Sequence, residues 1–311
     1  MSKQVSVVIV NWKVRELLRE CLLSLRASAG LRPDEMQIIV VDNHSGDGSA
    51  EMVAAEFGEV TLIANVDNIG FGRANNQALP QCTGRYILLL NPDTVVLDHA
   101  VRRMLERMDA RPDVAALGCR LLNADQSLQR WTGGAFPHAW NVATHYLFLD
   151  RLLPRALRPA PLYLDYDPRE DIDVDWVSGA CMMLRPSMLA GKLFDPSFYM
   201  YGEDMELCHR LKSAGHRVIY SPGASIIHYQ GASMKQQHGD VLLSALKGPR
   251  QFYRQMRGER ALWWFDGLTV CGFALRWGLF TVASWGRPKR FAARAASSRD
   301  LMNRAWRIQR N

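Results

Sequence analysis

The sequence has few cysteines, and they do not cluster. Six cysteines are spread over 311 residues, and the nearest pair, Cys181 and Cys208, lies 27 residues apart. Disulfide-rich secreted domains and zinc knuckles require short, regular cysteine spacings, so the sequence argues against both classes. The cysteine pattern favours a protein of the reduced cytosol.

An apolar leader is also missing from the amino terminus. Residues 1–4 contain neither an apolar stretch nor a cleavage site, and a β-branched run begins at Val5. Secretory signal peptides have both features. We therefore expect a cytoplasmic protein.

Most of the chain lacks a net charge, although the whole chain carries +7. Residues 287–311 contain eight basic residues and one acid, which leaves 30 basic and 30 acidic residues in 1–286. This balance disfavours a nucleic-acid groove, and the basic tail favours contact with an anionic surface. A solvated helical tail would show the same charge pattern.

The carboxyl-terminal region lacks a long uncharged run. In the aromatic segment that begins at residue 261, Asp266 and Arg276 leave ten residues as the longest uncharged run. A helix that crosses a bilayer needs about 20 apolar residues. We therefore expect residues 241–311 to form a helical, amphipathic extension at an anionic membrane interface. The alternative is helical packing on the preceding domain or on a second copy of the chain, as a homodimer.

The first hundred residues alternate between strand and helix patterns. Leu17, Cys21, Leu22 and Leu25 mark the apolar face of a helix that follows the first predicted strand. Strands separated by helices of this length predict βαβ units, hence an α/β fold with a mostly parallel central sheet flanked by helices. The four predicted strands are residues 5–10, 38–41, 60–63 and 86–90.

Polar residues follow each of these predicted strands. Because the carboxyl ends of parallel strands meet at one edge of a sheet, this edge is where a nucleotide would bind. Asp42 could accept hydrogen bonds from a base or ribose, although an isolated acid after a strand could simply cap a turn. The candidate nucleotide contacts are Asn11, Asp42, Asn43, Asn68, Gly70, Asn75 and Asn91.

Two carboxylates in distant segments indicate the chemistry. Asp93, in Asn91-Pro92-Asp93, follows the fourth strand, where it could hold a hard divalent cation against a phosphate. Asp204 follows Gly202-Glu203 at the start of a helix-like stretch and is a candidate base. Together they predict metal-assisted group transfer from a phosphorylated donor. The alternative for Asp204 is an acid stabilised by the helix macrodipole, by ~0.3–1 kcal/mol.

Two common nucleotide-binding motifs do not occur. Gly70-Phe71-Gly72 lacks the third glycine of the dinucleotide fingerprint, because Asn75 stands in its place, and it follows the third strand instead of the first. No Walker A sequence occurs either. A dehydrogenase and a P-loop nucleotidase are therefore disfavoured.

The ordered motifs resemble glycosyltransferase family 2, which has the GT-A nucleotide-diphospho-sugar transferase fold, and within it the bacterial rhamnosyltransferase-like branch. The resemblance covers residues 5–235. It is carried by Val7-Val8-Ile9-Val10-Asn11-Trp12, Val40-Val41-Asp42-Asn43, Asn68-Ile69-Gly70-Phe71, Asn91-Pro92-Asp93, Trp176-Val177-Ser178-Gly179-Ala180 and Gly202-Glu203-Asp204-Met205-Glu206-Leu207-Cys208-His209-Arg210.

This resemblance implies a role for each of three aspartates. Asp42 would bind the nucleotide base, Asp93 would bind Mg²⁺ or Mn²⁺ and the donor pyrophosphate, and Asp204 would be the catalytic base. Asn91 stands where many relatives have aspartate, which removes one charge from the metal site.

Further residues complete the expected site. Displacing a nucleoside diphosphate requires charge neutralisation on the leaving group and a base for the attacking hydroxyl, and a single base with in-line attack inverts the anomeric configuration. His228 follows a predicted strand and could complete the metal site, with Ser233 and Lys235 as a lid on the pyrophosphate. A purely structural histidine is the alternative for His228. The expected sugar pocket comprises Trp176, Gly179, Ala180 and Glu203, for which core packing is the alternative.

The sequence therefore predicts an inverting glycosyltransferase, with dTDP-rhamnose as the leading donor and a lipid-linked or polysaccharide acceptor in cell-envelope synthesis. We expect a catalytic domain in residues 1–240, with a nucleotide-binding half in 1–120 and an acceptor-binding half in 121–240. The latter includes a proline-rich, loop-rich insertion at 128–172. The alternatives are a sugar-phosphate nucleotidyltransferase, disfavoured by Asn11-Trp12-Lys13 after the first strand, and a non-catalytic membrane-bound scaffold.

Overall fold

The computed structural model describes residues 3–229 and 241–310, which form two compact units. Residues 3–134 and 163–229 form the first unit, and residues 135–162 and 241–310 form the second. The first unit contains the predicted sheet. The second unit joins part of the proline-rich insertion to the carboxyl-terminal helices.

The amino-terminal half of the first unit has the predicted βαβ order. Its strands lie in the order β3-β2-β1-β4, all parallel, and Asn11 at the end of β1 lies opposite Asp42 at the end of β2. The elements are β1 (Val5–Asn11), α1 (Arg15–Ser28), β2 (Met36–Asp42), α2 (Ser49–Glu56), β3 (Thr61–Ala64), α3 (Phe71–Ala78) and β4 (Tyr86–Leu90). The four predicted strands are confirmed.

The chain between residues 91 and 228 adds five strands to this sheet, and their pairings are both parallel and antiparallel. The elements are β5 (Thr94–Val96), α4 (Ala100–Ala110), β6 (Val114–Leu122), β7 (Gly133–Gly134), α5 (Ala139–Tyr146), β8 (Ile172–Asp173), β9 (Trp176–Val177), β10 (Cys181–Leu184), α6 (Glu203–Ser213) and β11 (Arg217–His228). Within the described residues the sheet has nine strands, in the order β3-β2-β1-β4-β10-β6-β11-β5 with β8 beside β11. β10 is antiparallel to both β4 and β6, and β6 is parallel to β11. β7 and β9 form a separate antiparallel pair.

The core of the first unit lies between the sheet and the helices that cover it. Leu18, Cys21, Leu22 and Leu25 of α1 are fully buried against it. Leu18 replaces the predicted Leu17, because positions 18, 21, 22 and 25 follow the helical spacing of a single face and Leu17 lies at its margin. Complete burial of each leucine stabilises the fold by about 1.5–3 kcal/mol.

The second unit is helical in its described part. α7 (Val241–Arg257), α8 (Glu259–Gly286) and α9 (Pro288–Arg310) follow one another, and α5 packs on α8. Gly272 of α8 permits this approach, because a Cβ there would lie 2.5 Å from the Cβ of Tyr146.

Both charges that interrupt the apolar sequence of α8 are satisfied within the second unit. Asp266 accepts hydrogen bonds of 2.9 Å from both Nε and Nη2 of Arg250 on α7. Arg276 donates to the backbone oxygens of His145 and Tyr146. Every exposed residue between 263 and 286 is consequently uncharged.

The sequence predicts no membrane-spanning helix in this segment, but α8 is long and apolar enough to be one. By these two criteria alone α8 could cross a membrane, and 11% of its most apolar window is buried. The sequence predicts an interfacial helix instead, because Asp266 and Arg276 divide the apolar run. In the folded unit these two residues contact neighbouring helices.

Candidate active site

The first part of the site is a hydrogen-bonded group at the carboxyl ends of β1 and β2. The side-chain amide of Asn11 donates to Asp42 Oδ1 at 2.9 Å and to Ser45 Oγ at 3.0 Å. The Ser45 backbone N–H donates to Asp42 Oδ2 at 3.0 Å. Asp42 thereby fixes the loop after β2. Each carboxylate oxygen can accept a further hydrogen bond, so Asp42 keeps capacity for a ligand.

The asparagine residues after β2 and β3 form a second hydrogen-bonded group. Asn43 Nδ2 donates to Asn68 Oδ1 at 2.8 Å, and Asn43 Oδ1 accepts from the Ile69 N–H at 3.1 Å. Asn75, the remaining asparagine predicted here, lies inside α3 and donates to Phe71 O of its own helix. The structure therefore brings Asn11, Asp42, Asn43 and Asn68 together, and the hydrogen bond of Asn75 is directed elsewhere.

Only glycine at position 70 lets the loop after β3 approach the backbone of Tyr199 this closely. The φ of Gly70 is +86°, and a Cβ there would lie 2.9 Å from the carbonyl oxygen of Tyr199. The Gly70 N–H donates to Asn68 Oδ1 at 3.0 Å. This residue joins the loop after β3 to the segment that precedes α6.

The turn Asn91-Pro92-Asp93 is tied to the sheet on both sides. The Asn91 N–H donates to Ala180 O at 2.9 Å, and the Thr94 hydroxyl donates to Asn91 O at 2.7 Å. The Tyr229 N–H donates to Asp93 O at 2.9 Å. These bonds hold the Asp93 carboxylate beside the end of β11.

The side chains of Asp93 and His228 meet at this turn. His228 Nε2 lies 3.3 Å from Asp93 Oδ1 and 3.3 Å from Asn91 Nδ2. Asp93 and His228 are 5% and 8% exposed, so both are largely shielded from water. The two predicted metal ligands, 135 positions apart in the sequence, are therefore neighbours in the fold.

Two adjacent carboxyls begin α6, Glu203 buried and Asp204 partly buried. Burial and the neighbouring Asp204 charge raise the pKa of Glu203 to about 8, and burial also raises the pKa of Asp204. The Met205 N–H donates to Asp204 Oδ1 at 2.8 Å, and the Gly179 N–H approaches Asp204 Oδ2 at 3.4 Å. Glu203 Oε2 has no hydrogen-bond partner in the described part of the chain. With a pKa of about 8, Glu203 keeps its proton at neutral pH, whereas the two backbone N–H groups at Asp204 favour the charged form of that carboxyl.

Tyr201 is a site residue that the sequence analysis missed. Burial and the charges of Glu203, Asp93 and Asp204 raise the pKa of its phenol to about 12. The phenol therefore lies within electrostatic range of all three carboxyls. Its φ of +66° is unusual for a non-glycine residue, and no local sequence pattern indicated it.

Of the predicted sugar-pocket residues, Gly179 and Glu203 lie next to Asp204. An added Cβ at Gly179 would lie 3.6 Å from the ring of Phe71 and 3.9 Å from Asp204 Cβ. The carbonyl oxygen of Ala180 accepts the hydrogen bond from the Asn91 N–H. Trp176 lies on β9 with its ring edge-to-face against Tyr163, and its indole N–H has no partner among the described residues. Ser233 and Lys235, the predicted lid, lie outside the described residues.

The donor set at Asp93 fits a divalent cation that is shared with a substrate. No cluster of three or more His, Cys, Asp and Glu side chains with metal-binding geometry occurs in residues 3–229 and 241–310. Mg²⁺ and Mn²⁺ are commonly held by one or two protein ligands together with substrate phosphates and water. A carboxylate and an imidazole nitrogen 3.3 Å apart match such an incomplete site.

The arrangement suits displacement of a phosphorylated leaving group by a hydroxyl. The backbone N–H groups of Met205 and Gly179 favour the charged form of Asp204, and its raised pKa increases its basicity toward a hydroxyl proton. Asp93 and His228 form a separate pair, where a metal-bound diphosphate would be neutralised. The polar loops after β1, β2 and β3 occupy the edge at which α/β sheets bind nucleotides.

Comparison with known proteins identifies this architecture. The family model described as glycosyl transferase family 2 matches residues 6–189. A structure of the mannosyltransferase PcManGT from Pyrobaculum calidifontis, in complex with GDP-Man and Mn²⁺, superposes with a TM-score of 0.57 at 15% identity and covers 98% of this chain and 86% of that chain. The fold is therefore of the GT-A type.

Two curated relatives share sequence over much of their length. The N-acetylglucosaminyl-diphospho-decaprenol L-rhamnosyltransferase of Mycobacterium tuberculosis is 25% identical, over 93% of this chain and 97% of the relative. Rhamnosyltransferase WbbL of Escherichia coli K12 is also 25% identical, over 72% of this chain and 83% of the relative. Both are named for transfer of the same sugar.

Proposed function

Because the chain belongs to glycosyl transferase family 2 and is a glycosyltransferase, we propose that it transfers rhamnose from a dTDP-activated donor to a lipid-linked acceptor, with inversion at the anomeric carbon. The acceptor class is a polyprenyl diphosphate that already carries a sugar. The reaction would take place at the cytoplasmic face of the membrane, in the synthesis of a cell-envelope glycan.

The observation that carries this proposal is that Asp204 and the turn that holds Asp93 are both tied to the adjacent residues Gly179 and Ala180. The Gly179 N–H lies 3.4 Å from Asp204 Oδ2, and the Asn91 N–H donates to Ala180 O at 2.9 Å. The phenol of Tyr201 is sensitive to both charges, although the two aspartates belong to different segments of the chain. Group transfer requires one site for the leaving diphosphate and another for deprotonation of the attacking hydroxyl. A fold that ties the Asp204 carboxylate and the Asp93 turn to two adjacent residues provides both.

The donor would lie along the polar loops of the first unit. Asp42 and Asn43, fixed by Asn11 and Asn68, would contact the nucleotide, and Asn91 would lie beside the diphosphate. Asp93 and His228 would hold Mg²⁺ or Mn²⁺, which when bound would neutralise the charge that develops on the diphosphate. Asp204 would take the acceptor proton, with Trp176, Gly179, Ala180 and Glu203 around the reacting sugars.

The choice of rhamnose and of a lipid-linked acceptor is supported by the relatives. Two of them are named as rhamnosyltransferases, and one of these is named for an N-acetylglucosaminyl-diphospho-decaprenol acceptor. The alignment with that enzyme runs over nearly the full length of both chains, so it includes the helical second unit.

The second unit supports a membrane location through the composition of its surface. Trp263, Trp264 and Trp285 are 71%, 59% and 79% exposed on a helix whose outer side is uncharged. The exposed cations Arg287, Lys289 and Arg290 follow at once. Aromatic side chains beside cations suit the headgroup region of an anionic leaflet. The ion pair of Asp266 and the bonds of Arg276 tie the other side of α8 to the protein, which favours an interfacial position over a spanning one.

The proposal is tested by screening donors against a defined acceptor. Purified protein would be incubated with dTDP-rhamnose, UDP-glucose, UDP-N-acetylglucosamine or GDP-mannose, each with polyprenyl-diphospho-N-acetylglucosamine, with Mn²⁺ or with a chelator. Mass spectrometry would detect the extended lipid, and NMR would give its anomeric configuration. We expect a product with dTDP-rhamnose and Mn²⁺, of inverted configuration.

An Asp93→Ala variant is the matched control for the role of the metal. Binding of dTDP-rhamnose raises the stability of the folded protein, which a thermal-shift assay detects. In wild type Mn²⁺ should increase this shift, and in Asp93→Ala it should not. Transfer of another sugar in the screen would contradict the donor assignment. A Mn²⁺ effect that persists in Asp93→Ala would contradict the metal assignment.

A further inference from the structure

Gln129 is a buried polar residue that contacts the candidate metal ligand His228. It is 4% exposed, and both ends of its amide are within hydrogen-bond distance of this one residue. Gln129 Oε1 lies 2.7 Å from His228 Nδ1, and Gln129 Nε2 lies 3.1 Å from His228 O. A pair of contacts to the ring and to the backbone of the same residue restrains the imidazole orientation.

A short turn brings Gln129 to this position. After β6 the chain reverses at Asn123, whose N–H donates to Ser127 O at 2.8 Å, and Asp125 accepts from the Ser127 N–H at 3.0 Å. The Gln129 N–H then donates to Leu121 O of β6 at 2.9 Å. Because Leu121 is paired with Ile226 of β11, the Gln129 side chain lies beside the last residue of β11, which is His228.

The hydrogen-bond chemistry of these contacts fixes the orientation of the amide. A backbone carbonyl can only accept, so the end of Gln129 that faces His228 O must be its NH₂ group. This NH₂ group also lies 3.3 Å from Asn123 Oδ1, a second acceptor. The oxygen of the amide therefore faces His228 Nδ1, and this ring nitrogen must carry a proton to make the 2.7 Å contact.

The proton on Nδ1 determines the state of the other ring nitrogen. A neutral imidazole has one N–H, so with Nδ1 protonated its lone pair is on Nε2. Nε2 is the atom that lies 3.3 Å from Asp93 Oδ1 and 3.3 Å from the Asn91 amide nitrogen. The Nε2 lone pair of His228 and the carboxylate of Asp93 are thus close enough to bind one cation together.

From this geometry we propose that Gln129 is a positioning residue that holds His228 in the Nδ1–H tautomer, with the Nε2 lone pair directed toward Asp93. The consequence, that His228 is oriented to bind a metal ion, rests on the proposed function. Without Gln129, the free ring would rotate and would favour the Nε2–H tautomer, which cannot bind a cation through that nitrogen. Residues that orient metal-bound histidines in this way commonly change metal affinity by about 10–100-fold.

The test reads the tautomer directly in the metal-free protein. Long-range ¹H–¹⁵N NMR of the imidazole rings, at a pH where they are neutral, distinguishes protonated from unprotonated nitrogen, and the His228 signals are assigned by their loss in His228→Gln. Wild type should show the proton on Nδ1. Gln129→Leu, which keeps the volume and removes both contacts, should shift the population toward Nε2–H. Gln129→Glu, which keeps an oxygen for Nδ1–H, should restore the wild-type tautomer.

A second measurement tests whether Gln129 affects the affinity for Mn²⁺. Electron paramagnetic resonance of free Mn²⁺, titrated with protein in the presence of dTDP, gives the Mn²⁺ affinity without turnover. Gln129→Leu should weaken it by about 10–100-fold. Gln37→Leu is the matched control, because Gln37 also bridges elements with its amide, through Ser6 and Gln81, and makes no contact with the site. It should bind Mn²⁺ as wild type does.

The two measurements separate failure of the inference from failure of the proposed function. An Nε2–H tautomer in wild type, or the same tautomer in Gln129→Leu as in wild type, would overturn the role of Gln129. If Gln129→Leu changes the tautomer as expected and wild type does not bind Mn²⁺, Gln129 positions His228 and the proposed metal role is wrong. The wild-type spectrum decides the tautomer even where Gln129→Leu does not fold.

Discussion

At the scale of single residues, the two adjacent carboxyls of the site, Glu203 and Asp204, have surroundings that favour different protonation states. Glu203 is 6% exposed, and one of its oxygens has no partner among the described residues, whereas Asp204 accepts hydrogen bonds from backbone N–H groups. Backbone donors stabilise the charged form of a carboxyl, and burial without donors stabilises the neutral form. The hydrogen bonds therefore favour ionisation of Asp204 over that of Glu203, so Asp204 is the residue suited to act as a base.

The buried proton of Glu203 predicts a specific dependence of stability on pH. In the unfolded chain this carboxyl loses its proton near its ordinary pKa of 4.5, whereas in the folded protein it keeps the proton up to about 8. Between these values the folded state binds more protons, so raising the pH lowers the free energy of unfolding, by up to ~1.4 kcal/mol per pH unit. Glu203→Gln should lack this contribution.

Urea unfolding at several pH values between about 5 and 8 measures this difference. The wild-type free energy of unfolding should fall relative to that of Glu203→Gln as the pH rises. Glu51→Gln, at an exposed position of α2, should retain the wild-type slope. Equal slopes for wild type and Glu203→Gln would show that Glu203 ionises in the folded protein as it does in the unfolded chain.

At the scale of secondary structure, the loops after the strands place the site residues, and their conformations limit which residues they accept. Gly70 is the clearest case, because its positive φ and its distance from Tyr199 both exclude a side chain. The segment that contains Tyr199 leads directly into α6 and its two carboxyls. The start of α6 is thus linked to the loop after β3 by one close backbone approach.

Gly70→Ala should destabilise the protein by about 1–3 kcal/mol, because alanine would be strained at this φ and its Cβ would contact a backbone oxygen. Gly58→Ala is the control, since an added Cβ there meets open space and the residue does not have positive φ. Thermal unfolding should show a lower melting temperature for Gly70→Ala only. Equal melting temperatures for the two variants would indicate that the loop after β3 can shift away from Tyr199.

The strands and the first site residues were predictable because their signals are local. A buried apolar run followed by Asn11, Asp42 or Asp93 identifies a strand and its end without knowledge of the rest of the fold. Gln129 and Tyr201 carry no such signal. Gln129 reaches His228 only because a turn returns the chain to β6 beside β11, and Tyr201 enters the site through a positive φ. The hydrogen bonds of Asp266 and Arg276 in α8 were likewise not predictable, because their partners, Arg250 and the α5 carbonyls, are distant in sequence.

At the scale of the whole molecule, the chain combines a sheet unit that carries the candidate chemistry with a helical unit that carries the apolar surface. The helical unit includes residues 135–162, so removal of the carboxyl-terminal helices would also uncover α5. Substitutions on the outer side of α8 are therefore a cleaner test of membrane contact than truncation is.

Trp263→Gln/Trp285→Gln should reduce binding to vesicles that contain anionic phospholipid, because transfer of each aromatic side chain into the interface contributes to binding. Co-sedimentation should show at least a ~10-fold loss, and raised salt should weaken wild-type binding by screening Arg287, Lys289 and Arg290. Trp131→Gln, at an exposed tryptophan of the other unit, is the control. Unchanged vesicle binding in the double variant, with a dimer of wild type in light scattering, would assign this surface to a second copy.

The central claim is that Asp204 removes the acceptor proton while separate residues bind the donor, and Asp204→Asn tests it most directly. Asparagine keeps the shape of the side chain and removes its basicity, and Glu206→Gln on the same helical turn is the matched control. The measurement is the turnover rate with dTDP-rhamnose and the lipid-linked acceptor, together with the dissociation constant of the donor. We expect Asp204→Asn to lose ~10²–10⁴-fold in turnover with unchanged donor affinity. Near-normal turnover in Asp204→Asn would contradict the account.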